Sequence, residues 1–107
     1  ILGLTFKENC PDIRNTKVVD IVSELSDFGI KVDCYDPWAN PKEVSTEYGI
    51  EMLNEPILNN YDGIVIAVAH DDFKSLSAEE IRRYGLAEHV LYDLKYLLPA
   101  NSVDLRL

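Results

Sequence analysis

The sequence predicts an α/β domain built as three layers, with helices on both faces of a doubly wound, mainly parallel sheet. Two observations support this prediction. Short apolar runs alternate with segments of helical periodicity along the whole chain of 107 residues. Parallel strands need crossover connections, which an alternating order of strands and helices provides. The length suits a single domain that spans residues 1–107.

Six segments are predicted as strands. The first, ILGLTF over residues 1–6, is continuously apolar, as expected of a parallel strand that is covered on both faces. Residues 64–69 are an apolar run rich in β-branched side chains, which predicts the central strand. The polar residues HDDF that follow are predicted to form a loop. The remaining strands are expected at 30–36, 50–53, 89–94 and 102–107.

Helical periodicity predicts a first helix over residues 16–28, with Asn15 or Thr16 as its N-cap. Gly29 is expected to end it, because glycine adopts the left-handed conformation that follows many helices. The apolar stripe of this helix has spacings of four, three and three residues and consists of Val18, Val22, Leu25 and Phe28.

Two further helices are predicted to be shorter. One runs from about Pro41 to Tyr48 and is ended by Gly49. The other is expected over roughly residues 78–84, because Ser77 and Glu80 have the spacing of a capping box.

The composition is that of an ordinary globular protein and argues against several classes. No run approaches the ~18 apolar residues needed to cross a bilayer, and no signal peptide is visible. A formal net charge of −9, with ten scattered Lys and Arg residues, disfavours nucleic-acid binding. The chain starts inside an apolar run and without Met, so we expect it to be a piece of a longer protein.

The two cysteines do not form a recognisable pair. Cys10 falls in a predicted loop, and Cys34 shares a strand face with Val32, which predicts a core position for its thiol. Their number and spacing are typical neither of a disulfide-stapled domain nor of a zinc site. We therefore expect reduced thiols and a cytoplasmic location.

The first strand, loop and helix imitate half of a dinucleotide-binding Rossmann fold, with Asp36 at the end of the second strand. The glycine fingerprint of that fold is missing, because GLTFKENCPDIR contains only Gly3, inside the strand. The prediction is thus a Rossmann-like domain that does not bind NAD by itself. Asp36 is interpreted as a solvated acid at the strand end or as a turn former before Pro37.

Lys7 and Arg14 flank the long first loop, at the carboxyl edge of the sheet where ligands of open α/β folds bind. Arginine can grip a phosphate through two parallel hydrogen bonds, so the two cations suit an anionic ligand. The alternative is that they only neutralise Glu8 and Asp12. The spacing alone leaves both interpretations open.

Other polar and aromatic residues near this edge carry weaker signals. His70, Asp71 and Asp72 follow the central strand, but adjacent side chains rarely converge on one ion, so no metal site is expected. Trp38 is expected to pack in the core, with a place at the sheet edge or in an interface as alternatives.

Four segments together resemble the C-terminal domain of the UDP-glucose/GDP-mannose dehydrogenase family. They are GLTFKENCPDIRNTKVVDIVSEL, YDPWA, the apolar strand that ends in AVAH, and DLK near the end of the chain. The resemblance covers essentially the whole chain, and G-x-x-F-K-x-N-x-x-D-x-R is its most specific part. FKENCPDIRNT and YDPWA look most similar to the branch that oxidises UDP-N-acetylhexosamines.

The resemblance implies a complete enzyme with an N-terminal Rossmann domain that binds NAD and a helical middle that makes a homodimer or higher oligomer. This domain would close over the UDP-sugar. The resemblance also implies that Phe6 and Lys7 contact the substrate and that Arg14 reaches NAD across the cleft. Lys95 stands where the family places a basic residue for the nucleotide part of the substrate.

The reaction that the resemblance implies serves surface polysaccharide biosynthesis. The 6-hydroxymethyl group of the sugar is oxidised to a carboxylate by two hydride transfers to NAD, through a thioester on a cysteine. In the family that cysteine lies N-terminal to this segment, so no catalytic residue is expected among residues 1–107. Cys10 is interpreted as a semi-buried loop residue.

An alternative class is a free-standing receiver-like signalling or interaction module. The acidic charge, the predicted strands and Lys95 after a late strand fit that class. The first strand does not fit, because it ends in Phe6 and Lys7 where a phosphoacceptor site needs clustered carboxylates to hold Mg²⁺.

Overall fold

The sheet lies between helices on both of its faces. The computed structural model describes residues 1–106, which form four α-helices, three β-strands and a 3-10 turn at Ala100–Ser102. The helices are α1 (Val18–Asp27), α2 (Pro41–Tyr48), α3 (Asp71–Lys74) and α4 (Ala78–Arg82), and the strands are β1 (Tyr61–Ile66), β2 (Gly85–Asp93) and β3 (Leu105–Arg106). Within this described stretch, no helix has the length and apolar character to cross a membrane.

Every strand pairing is parallel. β2 pairs with β1 on one side and with β3 on the other. Isolated bridges extend the sheet, because Leu2 pairs with both Tyr35 and Ile66, and Cys34 pairs with Met52. Counted along the chain, the order across the sheet is therefore third, second, first, fourth, fifth, sixth. This is the order of a doubly wound Rossmann-type sheet, so the predicted fold class is confirmed.

Two clusters of buried side chains lie on opposite faces of the sheet. Successive residues of a strand point to opposite faces, and β1 follows this rule. Ile64 and Ile66 pack in one cluster with Phe73 of α3 and Ile81 of α4, whereas Val65 packs against the other. That other cluster includes side chains of α1 and α2, namely Val18, Val22 and Val44.

The start of α1 differs from the prediction. Lys17 is its N-cap and makes no side-chain capping bond, so the predicted cap at Asn15 or Thr16 was wrong. The physical reason is that the Thr16 hydroxyl donates to the Leu4 carbonyl at 2.6 Å, although its oxygen also accepts the N–H of Val18 at 3.3 Å. Thr16 therefore lies one residue before the N-cap, and its hydroxyl bonds both to the first extended segment and to the first N–H of α1.

Left-handed glycines end both long helices, as predicted. Gly29 (φ +82°) follows α1, and Gly49 (φ +68°) follows α2. α2 has the predicted bounds, and the Asn40 side chain caps it by accepting the N–H of Lys42 at 2.9 Å. Phe28 was expected on the buried stripe, but it is 82% exposed because it lies beyond the last turn of α1.

The region after β1 is more helical than predicted. The capping box of Ser77 and Glu80 is confirmed, and α4 follows it. The residues expected to form a loop instead begin α3, because the buried ring of Phe73 anchors a helical turn. The N–H of Phe73 donates to the carbonyl of His70 at 3.0 Å.

Strand bounds differ most from the prediction. The predicted strands over 1–6 and 50–53 each make ladder contacts at one residue only. β2 begins at Gly85 rather than at residue 89, because Gly85 already pairs with Tyr61 and β2 then carries extra residues before Val90 pairs with Gly63. β3 covers part of the predicted last strand, and Leu107 lies outside the described residues.

Gly3 allows the first extended segment to lie between its two neighbours. Its φ is +99°, and a Cβ atom at this position would lie 2.6 Å from Cβ and 2.7 Å from N of Val68. Backbone approach this close leaves no room for a methyl group, and the left-handed conformation strains any side chain.

We expect Gly3→Ala to lower the free energy of unfolding by roughly 2–4 kcal/mol, because it adds a methyl group to a tightly packed site and backbone strain at once. Denaturant unfolding followed by circular dichroism measures the change. Gly63→Ala is the matched control, because a Cβ there meets nothing within 4 Å. Equal unfolding midpoints for the two variants would contradict the prediction.

Asp104 connects the C-terminal segment to α4 and β2. Its Oδ2 accepts Nη1 of Arg82 at 3.1 Å and the N–H of Leu91 at 2.8 Å. The hydrogen bond from Arg82, followed by the one from Leu91, holds the pKa of Asp104 below its ordinary value of 3.8. Because the pKa of Asp104 is lower in the folded protein than in the unfolded chain, its charge stabilises the fold at pH values above the ordinary pKa. This stabilisation is lost as pH falls through the lowered pKa of the folded state.

Asp104→Asn should therefore lower the urea midpoint at pH 7, and the difference from the parent protein should shrink as pH falls below the ordinary carboxyl value of 3.8 and the parent carboxylate becomes protonated. The measurement is urea unfolding at pH 7 and over a series of lower pH values. Asp62→Asn, at an exposed position of β1, serves as the control. A difference that is independent of pH would show that the charge of Asp104 does not stabilise the fold.

Candidate functional site

A buried carboxylate, that of Asp36, organises the carboxyl edge of the sheet. Asp36 is 5% exposed. Its Oδ2 accepts the N–H groups of Leu4 at 2.6 Å and Thr5 at 3.0 Å, and its Oδ1 accepts the N–H of Trp38 at 2.8 Å. These donors satisfy a charge that would be costly to bury alone. The interpretation of Asp36 as a solvated acid was wrong, whereas its role as a turn former is confirmed by the bond across Pro37.

His70 is fully buried and uses both of its ring nitrogens. Nε2 lies 2.9 Å from Oδ2 of Asp36 and 3.2 Å from the Thr5 hydroxyl, and Nδ1 accepts the N–H of Asn9 at 2.9 Å. A ring nitrogen that accepts carries no proton, so this geometry fits the neutral tautomer with its hydrogen on Nε2. Thr5 donates its own hydrogen to the Lys7 carbonyl at 3.0 Å.

The turn from Phe6 to Asn9 is held at both ends. The N–H of Phe6 donates to the Asp12 carbonyl at 2.8 Å. Asn9 has a φ of +54°, and its Oδ1 accepts the N–H of Asp71 at 2.9 Å. With its backbone bond to His70, Asn9 therefore connects the first loop to the start of α3.

The outer side of this turn carries two of the predicted site residues. Phe6 is 55% exposed, and Lys7 is exposed as well. Partly buried hydrogen bonds of Thr5 and Asn9 lie on either side of these two residues in the chain. These hydrogen bonds fix the backbone of the turn. A fixed backbone is needed to hold a binding side chain in one geometry.

Arg14 forms a two-pronged ion pair with Asp12. Nε donates to Oδ1 at 3.0 Å, and Nη2 donates to Oδ2 at 3.1 Å. The hydrogen bonds from Arg14, with a smaller effect of the charge of Lys7, hold the pKa of Asp12 below its ordinary value. The Arg14 side chain is 82% exposed, so the pair is weak enough to exchange Asp12 for another anion.

Arg14 also lines a groove of about 430 Å³ beside α2. The other lining residues are Ile13, Lys42, Glu43, Thr46 and Glu47. Cations and acids alternate around this groove, so its field is mixed rather than uniformly positive.

Asp93 shapes the loop that carries Lys95. It ends β2 fully buried, and it accepts the N–H of Lys95 at 3.0 Å and the N–H of Leu98 at 2.8 Å. These bonds curl the chain immediately after the strand, and Lys95 remains exposed at the carboxyl edge. The sequence motif DLK therefore contains a buried positioning acid and an exposed cation.

Trp38 covers the polar network from outside. Its ring lies 6.0 Å from that of His70 at an interplanar angle of 26°, and its Nε1 donates to Asp72 at 2.8 Å. With 39% exposure it is not a core residue, so the core prediction was wrong and the sheet-edge alternative fits. Both nitrogens of His70 are engaged, and no metal-binding cluster of three or more ligands occurs among residues 1–106.

The four predicted site residues all follow carboxyl ends of strands. Phe6, Lys7 and Arg14 share the first loop, and Lys95 lies on a separate one. Sequence reasoning missed the residues whose hydrogen bonds hold these loops. Their only signal was a polar residue in or within three positions of an apolar run. Four of them are buried, namely Thr5, Asp36, His70 and Asp93, and the fifth is the exposed Asn9.

An open parallel sheet with two structured loops at its carboxyl edge defines an α/β domain of the nucleotide-binding type. Residues 1–100 match the family model described as UDP-glucose/GDP-mannose dehydrogenase family, UDP binding domain. The chain belongs to this family and is its UDP binding domain. The predicted resemblance is therefore confirmed, and the receiver-like alternative is set aside.

Curated relatives match over the full chain. It is 59% identical to a UDP-N-acetyl-D-glucosamine 6-dehydrogenase of Pseudomonas aeruginosa and 54% identical to one of Salmonella typhi, over all 107 residues in each case. The match covers 25% of each relative, so the chain spans about a quarter of their length.

A solved structure confirms the fold. The chain superposes on a UDP-D-ManNAc dehydrogenase of Pyrococcus horikoshii with a TM-score of 0.75, at 24% identity, over 98% of this chain and 23% of the other. At this identity the likeness concerns the fold alone.

The two thiols lie in different environments. Cys34 is 1% exposed, and burial raises its pKa above the ordinary value, which confirms its predicted core position. Cys10 is half-buried in the first loop.

We expect one fast-reacting thiol in the native protein. Cys10 should react with a disulfide reagent at about pH 8, whereas Cys34 should react only on unfolding, because the thiolate is the nucleophile and burial suppresses it. Peptide mass spectrometry after timed alkylation identifies the modified residue. Cys10→Ser is the control and should remove the fast phase; a fast phase that persists in this variant would refute the assignment.

Proposed function

We propose that this chain is the UDP-sugar-binding domain of an NAD-dependent UDP-N-acetylhexosamine 6-dehydrogenase, in which residues 1–107 form one domain of a longer polypeptide. One observation carries the proposal. The family's F-K-x-N segment is held by hydrogen bonds to the buried side chains of Thr5 and His70, at the edge of the sheet where open α/β folds bind ligands, while Phe6 and Lys7 stay exposed. The 59% identity to a UDP-N-acetyl-D-glucosamine 6-dehydrogenase favours UDP-N-acetylglucosamine as the substrate.

Phe6 and Lys7 contact the sugar in this proposal. Phe6 offers an apolar surface to the ring, and the Lys7 ammonium donates to its oxygens near the reacting carbon. Lys95 is a point charge on the second loop and interacts with the nucleotide phosphates. The buried acids beneath both loops, Asp36 and Asp93, keep these cations at fixed separation without neutralising them, because backbone N–H groups already satisfy those acids.

NAD is held mainly by another domain of the enzyme, and Arg14 reaches it from this one. The guanidinium suits a phosphate because it is exposed and already in a two-pronged geometry with Asp12. This chain lacks the means to hold NAD alone. Asp36, at the position from which Rossmann domains bind the ribose, is turned inward onto the N–H groups of Leu4 and Thr5.

The reaction converts the 6-hydroxymethyl group to a carboxylate. One UDP-sugar, one water and two NAD⁺ give the uronate, two NADH and three protons. NAD, when bound, supplies the hydride acceptor. The residues of this chain bind and orient the substrate and, by closing over it, exclude bulk water. No nucleophile is assigned here, and Cys10 is a structural loop residue.

The proposed enzyme is a homodimer or higher homo-oligomer, works in the cytoplasm on precursors of surface polysaccharide, and binds neither nucleic acid nor membrane. Within the longer polypeptide, the partners of this domain are the NAD-binding and central domains. The net charge of −9 disfavours the polyanionic surfaces of nucleic acid and membrane.

The complete protein tests this proposal. NADH formation should be observed with UDP-N-acetylglucosamine, with two NADH per sugar oxidised, and should be slower with UDP-glucose. The isolated domain should show no turnover. Absence of NADH formation with every UDP-sugar, from folded and oligomeric protein, would refute the proposed function.

Lys7 and Arg14 should have separable roles in the complete enzyme. Arg14→Ala should raise the KM for NAD about ten- to a hundredfold and change that for the UDP-sugar little, because a charge-assisted bond to phosphate is lost. Arg14→Lys should recover little, because a point charge lacks the two-pronged geometry. Lys7→Ala should instead weaken UDP-sugar binding and lower kcat. Steady-state kinetics with each substrate varied in turn measures both effects.

The matched controls are Lys31→Ala and Arg83→Ala, exposed cations near the amino ends of their strands, at the opposite edge of the sheet. Both should leave the two KM values within about twofold. If Lys7→Ala and Arg14→Ala raised the UDP-sugar KM alike and left NAD unaffected, the proposed orientation of the cleft would be wrong.

A further inference from the structure

His70 has no proposed contact with the substrate, yet its ring bonds to the first loop, which carries two of the proposed substrate-binding residues. It is fully buried, and it joins three separate parts of the carboxyl edge. Nε2 lies against Asp36 after the second extended segment, and Nδ1 holds the backbone of Asn9 in the first loop. His70 itself precedes α3, whose first N–H, that of Asp71, donates to the Asn9 side chain.

Two hydrogen bonds join Asn9 to the consecutive residues His70 and Asp71. The Asn9 backbone donates to the histidine ring, and the Asn9 side chain accepts from the residue that follows the histidine. Asn9 makes these two bonds with a left-handed φ of +54°, a conformation that asparagine tolerates better than most residues. We refer to these two bonds as the Asn9 clamp.

The clamp acts next to the exposed part of the turn. Lys7 lies two residues before Asn9, and its carbonyl is held by Thr5, which itself contacts the ring of His70. A long lysine side chain is positioned only as well as the backbone that carries it. By fixing the backbone next to Lys7, the clamp limits the positions that the Lys7 ammonium can reach.

We infer that His70 and Asn9 are positioning residues for the UDP-sugar: the clamp fixes the Phe6–Asn9 turn so that Phe6 and Lys7 meet the sugar without first being ordered. This inference rests on the proposed function. When the turn is already ordered, none of the free energy of substrate binding is used to order the turn. The Arg14 guanidinium is held by the side chain of Asp12 and bonds to neither His70 nor Asn9, so the clamp is assigned to the UDP-sugar rather than to NAD.

Two substitutions of the same histidine separate positioning from simple stability. The side-chain oxygen of His70→Asn occupies the place of Nδ1 and keeps the bond to Asn9 but loses the one to Asp36. The amide of His70→Gln reaches toward Asp36 and loses the bond to Asn9. Both variants disturb a buried site, so a merely structural role predicts similar kinetic effects.

The inference predicts unequal effects in the complete enzyme. His70→Gln should raise the KM for UDP-sugar about three- to tenfold, whereas His70→Asn should raise it less than about twofold. Asn9→Gly, which keeps the left-handed backbone but loses the bond to Asp71, should raise it about threefold. The KM for NAD should stay within about twofold throughout. Asn59→Gly is the matched control, since Asn59 has a φ of +51° and lies before β1, at the opposite edge.

Hydrogen–deuterium exchange of the peptide containing Phe6–Asn9 provides a readout that does not depend on turnover. Exchange should be faster in His70→Gln and Asn9→Gly and near the parent rate in His70→Asn. If the parent enzyme oxidises no UDP-sugar, the proposed function fails, and this exchange pattern still decides whether the clamp exists.

Equal KM values and equal exchange for the two His70 variants would overturn the inference. If the His70 variants do not fold, Asn9→Gly decides alone, because Asn9 is exposed. An Asn9→Gly enzyme that matches Asn59→Gly in both measurements would overturn the inference as well.

Discussion

The carboxyl edge of this domain depends on one buried charge, the carboxylate of Asp36. It lies where the first, second and fourth extended segments of the sheet end, and it accepts hydrogen bonds from the first two and from His70 after the fourth. A carboxylate in the interior must have its acceptor sites filled. The hydrogen bonds that fill these acceptor sites hold three chain segments together at Asp36. They also fix the start of the loop over residues 5–16.

The fold class was predictable because it depends on patterns that are local in sequence. The alternation of apolar runs with helical periodicity predicts the parallel sheet, and α2 was predicted to the residue from Pro41, Tyr48 and Gly49. Strand bounds were not predictable in the same way. β2 starts early because of its register with β1, which is set by a pairing partner distant in sequence. Likewise, Thr16 looked like a cap and instead bonds to Leu4.

The candidate site divides into a predictable and an unpredictable layer. Phe6, Lys7, Arg14 and Lys95 were identified because they belong to segments that resemble a family, and their roles stay proposals. The buried layer was missed because nothing in the pattern of a polar residue tells whether it faces solvent or a partner from a distant loop. His70 was set beside Asp71 and Asp72, its neighbours in sequence, but its ring contacts Asn9 and Asp36 instead.

The inward orientation of Asp36 has a consequence for an enzyme that contains two domains of similar architecture. A Rossmann-type sheet with a free acid at this position would compete for the cofactor with the domain meant to hold it, and each molecule captured by the wrong site would be lost to turnover. Here the Asp36 carboxylate already accepts the N–H groups of Leu4 and Thr5 from the same domain. In the longer polypeptide that we propose, two related folds can therefore face each other across one cleft and still divide their ligands without ambiguity.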